Sequence, residues 1–182
     1  MQDINTLVTF SSRTGSTETL ALAGALGAVQ ARSYIRLRWL REDVDDQTID
    51  GVPEWRANRT RMAREYIAPR EIDFLWADVL MIGMPARDGV ASSEWRTYLD
   101  GLEVVHRAGK LHGKVASAFT AGKDASLVSL CSALDGRDLI LVPPDPADVG
   151  NAVDRARLHG RRVTEFAREL RRDRTTQVQA SR

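Results

Sequence analysis

Eight consecutive residues, Ser11-Ser12-Arg13-Thr14-Gly15-Ser16-Thr17-Glu18, hold the densest set of small polar groups in this chain. They follow a β-favouring run, Thr6–Phe10, and precede a helical pattern that starts near Ser16. A loop that opens a helix offers unpaired backbone N–H groups and the positive end of the helix dipole, an environment that suits a phosphate. Ser12, Thr14, Ser16 and Thr17 add hydroxyl donors, and Gly15 permits a tight turn. No lysine of the kind that grips a nucleoside triphosphate follows, and the three glycines of a dinucleotide fingerprint are missing. A monophosphate site remains, against the plainer alternative of a hydroxyl-rich helix cap that binds nothing.

The elements around this loop read as alternating strands and helices. After the helix at about 16–29, with Leu20, Ala23, Leu26 and Gly27 on its inward face, Ala31–Leu37 alternates like a strand. Ala77–Met84 is a near-continuous apolar run, the signature of a strand buried on both faces. Ser92 or Ser93 caps a helix carrying Trp95, Tyr98, Leu99 and Leu102. Lys114–Thr120 is a strand, Leu127–Leu134 a helix and Asp138–Val142 a strand stopped by Pro143-Pro144. A long helix over Asp148–Arg172 turns Val149, Val153, Ala156, Val163, Ala167 and Leu170 inward. The pattern predicts a single α/β domain over residues 1–172, with 173–182 a flexible polar tail. Five strands in this order suggest a doubly wound parallel sheet, order 2-1-3-4-5, with helices on both faces. Ligands of such sheets bind beyond the carboxyl ends of the strands, where Ser11–Thr17, Pro85–Gly89 and Ala121–Asp124 would meet.

Ser12-x-Thr14-Gly15-x-Thr17 is similar to the FMN-phosphate loop of flavodoxins. Glu18-Thr19 and the small-residue helix after it resemble the WrbA-type NAD(P)H:quinone oxidoreductases, as does 77–101, ADVLMIGMPARDGVASSEWRTYLDG. Gly83, Pro85, Arg87, Gly89, Arg96, Thr97, Leu99 and Asp100 stand where that family has the same residues, and Tyr98 takes its aromatic position. Gly109–Thr120, GKLHGKVASAFT, also resembles the family. The likeness covers about Thr6 to Pro143. It implies a flavodoxin-like fold, FMN as cofactor, NADH or NADPH as electron donor and a quinone-like acceptor. Ser11, Ser12, Arg13, Thr14, Gly15, Ser16 and Thr17 would hold the phosphate. Pro85, Ala86, Arg87, Asp88 and Gly89 would line one edge of the flavin ring, and Thr120, Ala121 and Gly122 the other. Arg87 would stabilise negative charge on the reduced ring. The chemistry would be flavin-centred, with no protein residue as general acid or base, and the protein a homo-oligomer. The chain departs from the family in its third loop, which has one glycine where the family has a run of them, and in lacking the histidine before the last strand and the Gly-rich insertion after it.

Other features narrow the field. The chain has 182 residues, 43% hydrophobic and 28% charged, with 26 basic and 25 acidic side chains for a net charge of +1. That balance argues against a nucleic-acid binder driven by global charge and against the acidic surface of an electron shuttle. A flavodoxin-type carrier, or a fold relative that has lost FMN and only binds partners, are the rival functions. The absence of an apolar run of ~18 residues and of a signal peptide points to the cytoplasm and away from membrane insertion. Cys131 reads as a buried, inert thiol, and His106, His112 and His159 are too scattered to form a metal site. The four tryptophans are read as packing residues, and the arginines of the last helix as a solvated face. Residues 41–72 exceed the usual connection and suggest a lid or subunit interface that sets acceptor specificity.

Overall fold

The computed structural model describes residues 3–85, 92–121, 125–145 and 150–180. Its centre is a parallel sheet of β1 (Ile4–Phe10), β2 (Ser33–Trp39), β3 (Val79–Met84), β4 (Val115–Thr120) and β5 (Ile140–Leu141), in the order β2-β1-β3-β4-β5. The expected doubly wound topology is therefore present, and it is that of the flavodoxin-like fold.

Strand alternation builds two cores. Ile4, Val8, Phe10, Val79, Met81, Val115 and Phe119 point to one face. There they meet α1 (Ser16–Gln30), α3 (Pro53–Glu65) and α7 (Ala152–Ala180). Leu7, Leu80, Ile82, Met84, Ala116 and Ala118 point to the other face. They are covered by α4 (Glu71–Trp76), α5 (Ser93–Arg107) and α6 (Ala125–Leu134). Trp95, Tyr98, Leu102 and Val105 form the buried stripe of α5 at helical spacing.

The inward face of α1 differs from the sequence reading. Leu26 is half exposed, whereas Ala21, Ala25 and Ala28 are buried. The cause is α7, which crosses α1 at backbone contact. A Cβ on Gly27 would lie 1.9 Å from the Arg157 carbonyl oxygen, and one on Gly160 would lie 2.0 Å from that of Gly24. Only small residues fit such a crossing, so Leu22, Leu26 and Val29 turn outward while Leu20 stays in the core.

Three boundaries also move. β2 starts two residues later than expected because Ala31 caps α1 and Arg32 adopts a left-handed conformation, φ 59°. β5 shrinks to two residues, held by Ile140 N–H to Lys114 O and Val142 N–H to Ala116 O. The last helix starts at Ala152 and runs to Ala180, eight residues past the expected stop. No proline or glycine interrupts 172–180. Val153 on this helix is exposed, while Val163 and Ala167 are buried as expected.

The long connection after β2 is helical. It forms α2 (Asp46–Asp50), then α3 and α4. Asp45 caps α2, accepting from the Thr48 amide at 2.8 Å, and Pro53 occupies the first turn of α3. The buried Asp73 of α4 accepts from Arg38 of β2 at 2.7 and 2.8 Å and from Arg36 at 3.0 Å, which ties α4 to the sheet edge. Among the described residues, no helix is long and apolar enough to cross a membrane.

Candidate functional site

Register brings the three expected loops to one edge. Phe10 pairs with Gly83, and Met84 pairs with Thr120. Ser11, Pro85 and Ala121 thus leave the carboxyl ends of β1, β3 and β4 side by side, and Ser11 N–H donates to Gly83 O at 3.1 Å. Ala86, Arg87, Asp88, Gly89 and Gly122 lie outside the described residues.

The first loop is a built turn. Gly15 sits at the N-cap of α1 with φ 92°, a left-handed conformation that disfavours a side chain. Its amide donates to Ser12 Oγ at 3.1 Å. Because glycine has no capping side chain, the amides of Ser16, Thr17 and Glu18 have no acceptor among the described residues. The hydroxyls of Thr14 and Ser16 lie 3.1 Å apart, and Thr17 is buried in the first turn. Three free amides, nearby hydroxyls and the helix dipole converge at the start of a 15-residue helix. This arrangement fits a phosphate monoester.

Ser11 and Arg13 serve the loop differently from what the motif implies. Ser11 is buried, and its Oγ donates to Glu42 Oε1 at 2.9 Å. Arg13 Nε donates to Glu42 Oε2 at 2.7 Å, and its guanidinium lies 4.5 Å from the centre of the Trp55 ring. Burial pushes the Glu42 carboxyl up, and the Arg13 and Ser11 contacts oppose it only in part. A buried acid next to an anion site would repel the anion; Arg13 offsets that charge.

A second strut comes from α3. Arg61 pairs with the buried Glu18 of the first turn of α1, and Tyr66 donates to Glu18 Oε1 at 2.8 Å. Burial raises the Glu18 carboxyl, but the Arg61 and Tyr66 hydrogen bonds outweigh it and hold it below its ordinary value. The same contact, with burial as the larger cause, pushes the Tyr66 phenol up to about 12. Glu42, Trp55 and Arg61 were absent from the sequence-derived site. The one sequence signal for Glu42 is its place just past β2, which neighbours β1 in the expected order.

The remaining side chains are structural. Trp39, Trp55 and Trp95 are buried, the last edge-on to Tyr98 at 5.6 Å. Cys131 is half-buried, and burial raises its thiol. His159 is buried and joins α7 to β4: its Nε2 contacts Ser117 Oγ, and Arg162 Nη2 lies 3.1 Å from its Nδ1. Since arginine only donates, Nδ1 accepts, and Nε2 carries the proton towards Ser117. Arg171 on the same helix pairs with Asp78 at 3.0 Å, so this basic stretch clamps the fold in part.

No family model matches the chain. It is 29% identical over 147 residues to a Deinococcus radiodurans protein named NAD(P)H dehydrogenase (quinone), covering 78% of this chain and 73% of that one. It is 30% identical over 148 residues to an Archaeoglobus fulgidus protein of the same name, covering 78% and 76%. Among solved structures, a WrbA-like flavodoxin from Agrobacterium tumefaciens superposes with a TM-score of 0.63 at 20% identity, over 92% of this chain and 99% of that one. An archaeal flavodoxin gives a TM-score of 0.58 at 14% identity, over 91% and 99%. These two likenesses concern the fold.

Proposed function

The chain belongs to the NAD(P)H dehydrogenase (quinone) family, and on that premise we propose that it binds FMN and carries two electrons from NADH or NADPH to a quinone-like acceptor. The observation that carries this reading is the uncapped first turn of α1, with three acceptor-free amides behind a left-handed Gly15. The amides of Ser16, Thr17 and Glu18 and the hydroxyls of Ser12, Thr14, Ser16 and Thr17 would hold the FMN phosphate. FMN, when bound, would supply a two-electron relay: a hydride in from the nicotinamide, then, with one further proton from water, reduction of a quinone to hydroquinone.

The chain's own groups bind and orient. Gly15 shapes the cradle, while Glu42 fixes Ser11 and Arg13 from the β2 side. Arg61 and Tyr66 fix the Glu18 carboxylate, and Arg61 offsets its charge. By the family likeness alone, Pro85–Gly89 and Thr120–Gly122 would line the ring, with Arg87 at its pyrimidine end. No side chain takes a proton-transfer role, and water supplies the one proton that the hydride does not bring.

Steady-state kinetics of the FMN-loaded protein with NADPH and a benzoquinone test the reading. On this reading the donor leaves before the acceptor binds, so double-reciprocal plots should give parallel lines. Retained FMN without NAD(P)H oxidation would leave a carrier and overturn the dehydrogenase reading.

A further inference from the structure

A cleft of about 370 Å³ opens between α2 and α3, walled by Arg41, Arg56, Arg59 and Arg64 with Ile49 at its base and Asp46 on its rim. Arg56 is bound by acids: its Nε contacts Asp50, and its Nη2 lies 3.3 Å from Asp46. The other three guanidinium groups have neither a carboxylate nor a hydrogen-bond acceptor among the described residues. Arg59 is the most telling, because its Nη1 is shielded from solvent and still has no acceptor. Four arginines face two carboxylates, Asp46 and Asp50, so two positive charges are left over. A buried guanidinium nitrogen without an acceptor is unfavourable unless a ligand supplies one.

Chain neighbours of two cleft residues contact the Ser11–Glu18 loop. Arg41 immediately precedes Glu42, which holds Ser11 and Arg13. Trp55, four residues before Arg59 on α3, lies under the Arg13 guanidinium. A volume of this size takes a phosphate and a sugar, not a duplex. Planar guanidinium forks match phosphate oxygens in pairs.

We propose that this arginine cleft binds a phosphate group on the adenosine side of the pyridine dinucleotide. The inference rests on the dehydrogenase reading, since a dinucleotide whose nicotinamide reaches the flavin must place its adenosine half elsewhere. Two phosphates share the required chemistry: the 2′-phosphate, present only in NADPH, and the diphosphate, common to NADPH and NADH.

Calorimetry on the FMN-loaded protein with 2′,5′-ADP and with 5′-ADP separates the sources, alongside KM values for NADPH and NADH. Arg59→Met should weaken 2′,5′-ADP about tenfold or more and raise KM for NADPH with kcat and FMN affinity unchanged. An unchanged affinity for 5′-ADP assigns the 2′-phosphate; a loss for 5′-ADP as well assigns the 5′-phosphate, the part of the dinucleotide's diphosphate that both ligands carry. Arg64→Met, at an exposed position, repeats the test if Arg59→Met does not fold. Wild-type protein that binds neither ligand, or folded variants that bind both as wild type does, would overturn the proposal. If the protein binds 2′,5′-ADP through Arg59 but oxidises neither nucleotide, the cleft stands as a phosphate site and the dehydrogenase reading fails.

Discussion

Ser11 Oγ donates to Glu42 Oε1 at 2.9 Å, linking the carboxyl end of β1 to the segment that follows β2. The contact anchors the start of the Ser11–Glu18 loop, and its acid partner is largely removed from water. Burial raises the Glu42 carboxyl. The folded state therefore keeps a proton where the unfolded chain has lost it. The stabilisation from that proton is present at acid pH and is lost as pH rises through the raised value. Glu42→Gln removes the titration and keeps an acceptor for Ser11. Urea unfolding of both proteins across the carboxylate range should show wild type losing stability relative to the variant as pH rises. Parallel profiles, or a slope of the opposite sign, would contradict the burial of this acid.

The crossing of α1 and α7 makes a prediction against hydrophobicity. Gly27→Ala places a methyl 1.9 Å from a backbone oxygen. Neither helix can yield without disturbing the sheet, so the cost should reach the upper end of overpacking, about 3 kcal/mol. Leu26→Ala, one residue earlier and half exposed, should cost no more than about 0.5 kcal/mol. Thermal unfolding of the pair decides. A larger loss for Leu26→Ala would mean that α1 packs through its leucines after all.

Tyr66 gives a spectroscopic check on the strut between α3 and α1. Its phenol is raised to about 12 by burial and by donation to Glu18. The folded state holds this proton above the ordinary value, so stability falls as pH rises beyond about 10. Ultraviolet difference titration should show a phenol ionising near 12, and Glu18→Gln should lower it towards 10. A Tyr66→Phe variant identifies the signal. A Tyr66 transition near 10 in the wild type would exclude the contact.

Gly15 and Thr17 separate the shape of the cradle from its donors. Gly15→Ala forces a side chain into φ 92°, at a cost of about 1–2 kcal/mol. FMN affinity should fall by about tenfold or more, because the free amides shift with the turn. Thr17→Val removes one hydroxyl donor to a charged group and should also weaken FMN by at least about tenfold. Fluorescence titration of FMN measures both. Wild-type affinity in both variants would move the phosphate away from this loop.

Much of the fold was legible in the sequence because its strands announce themselves. Ala77–Met84 is too apolar to face water on either side, and the turn residues after each strand mark the carboxyl edge. The turn at Ser12–Thr17 that opens α1 was legible for the same reason: its residues are local and contiguous. Partners supplied from afar were not. Glu42, Trp55 and Arg61 come from a polar stretch with no strong periodicity, and nothing in the sequence says which charge in it turns inward. Leu26 misled because periodicity identifies an apolar face without revealing that a neighbouring backbone occupies it. The last helix outran its expected stop because the charged and polar side chains of 173–180 are compatible with helix and tail alike.

The most direct measurement is the visible absorbance of the purified protein after incubation with FMN and passage through a desalting column, followed by anaerobic addition of NADPH. Flavin bands should be retained at about one FMN per chain, bleach on addition of NADPH and return when a benzoquinone is supplied. A colourless protein after desalting, or bands that NADPH and NADH leave unchanged, would contradict the account.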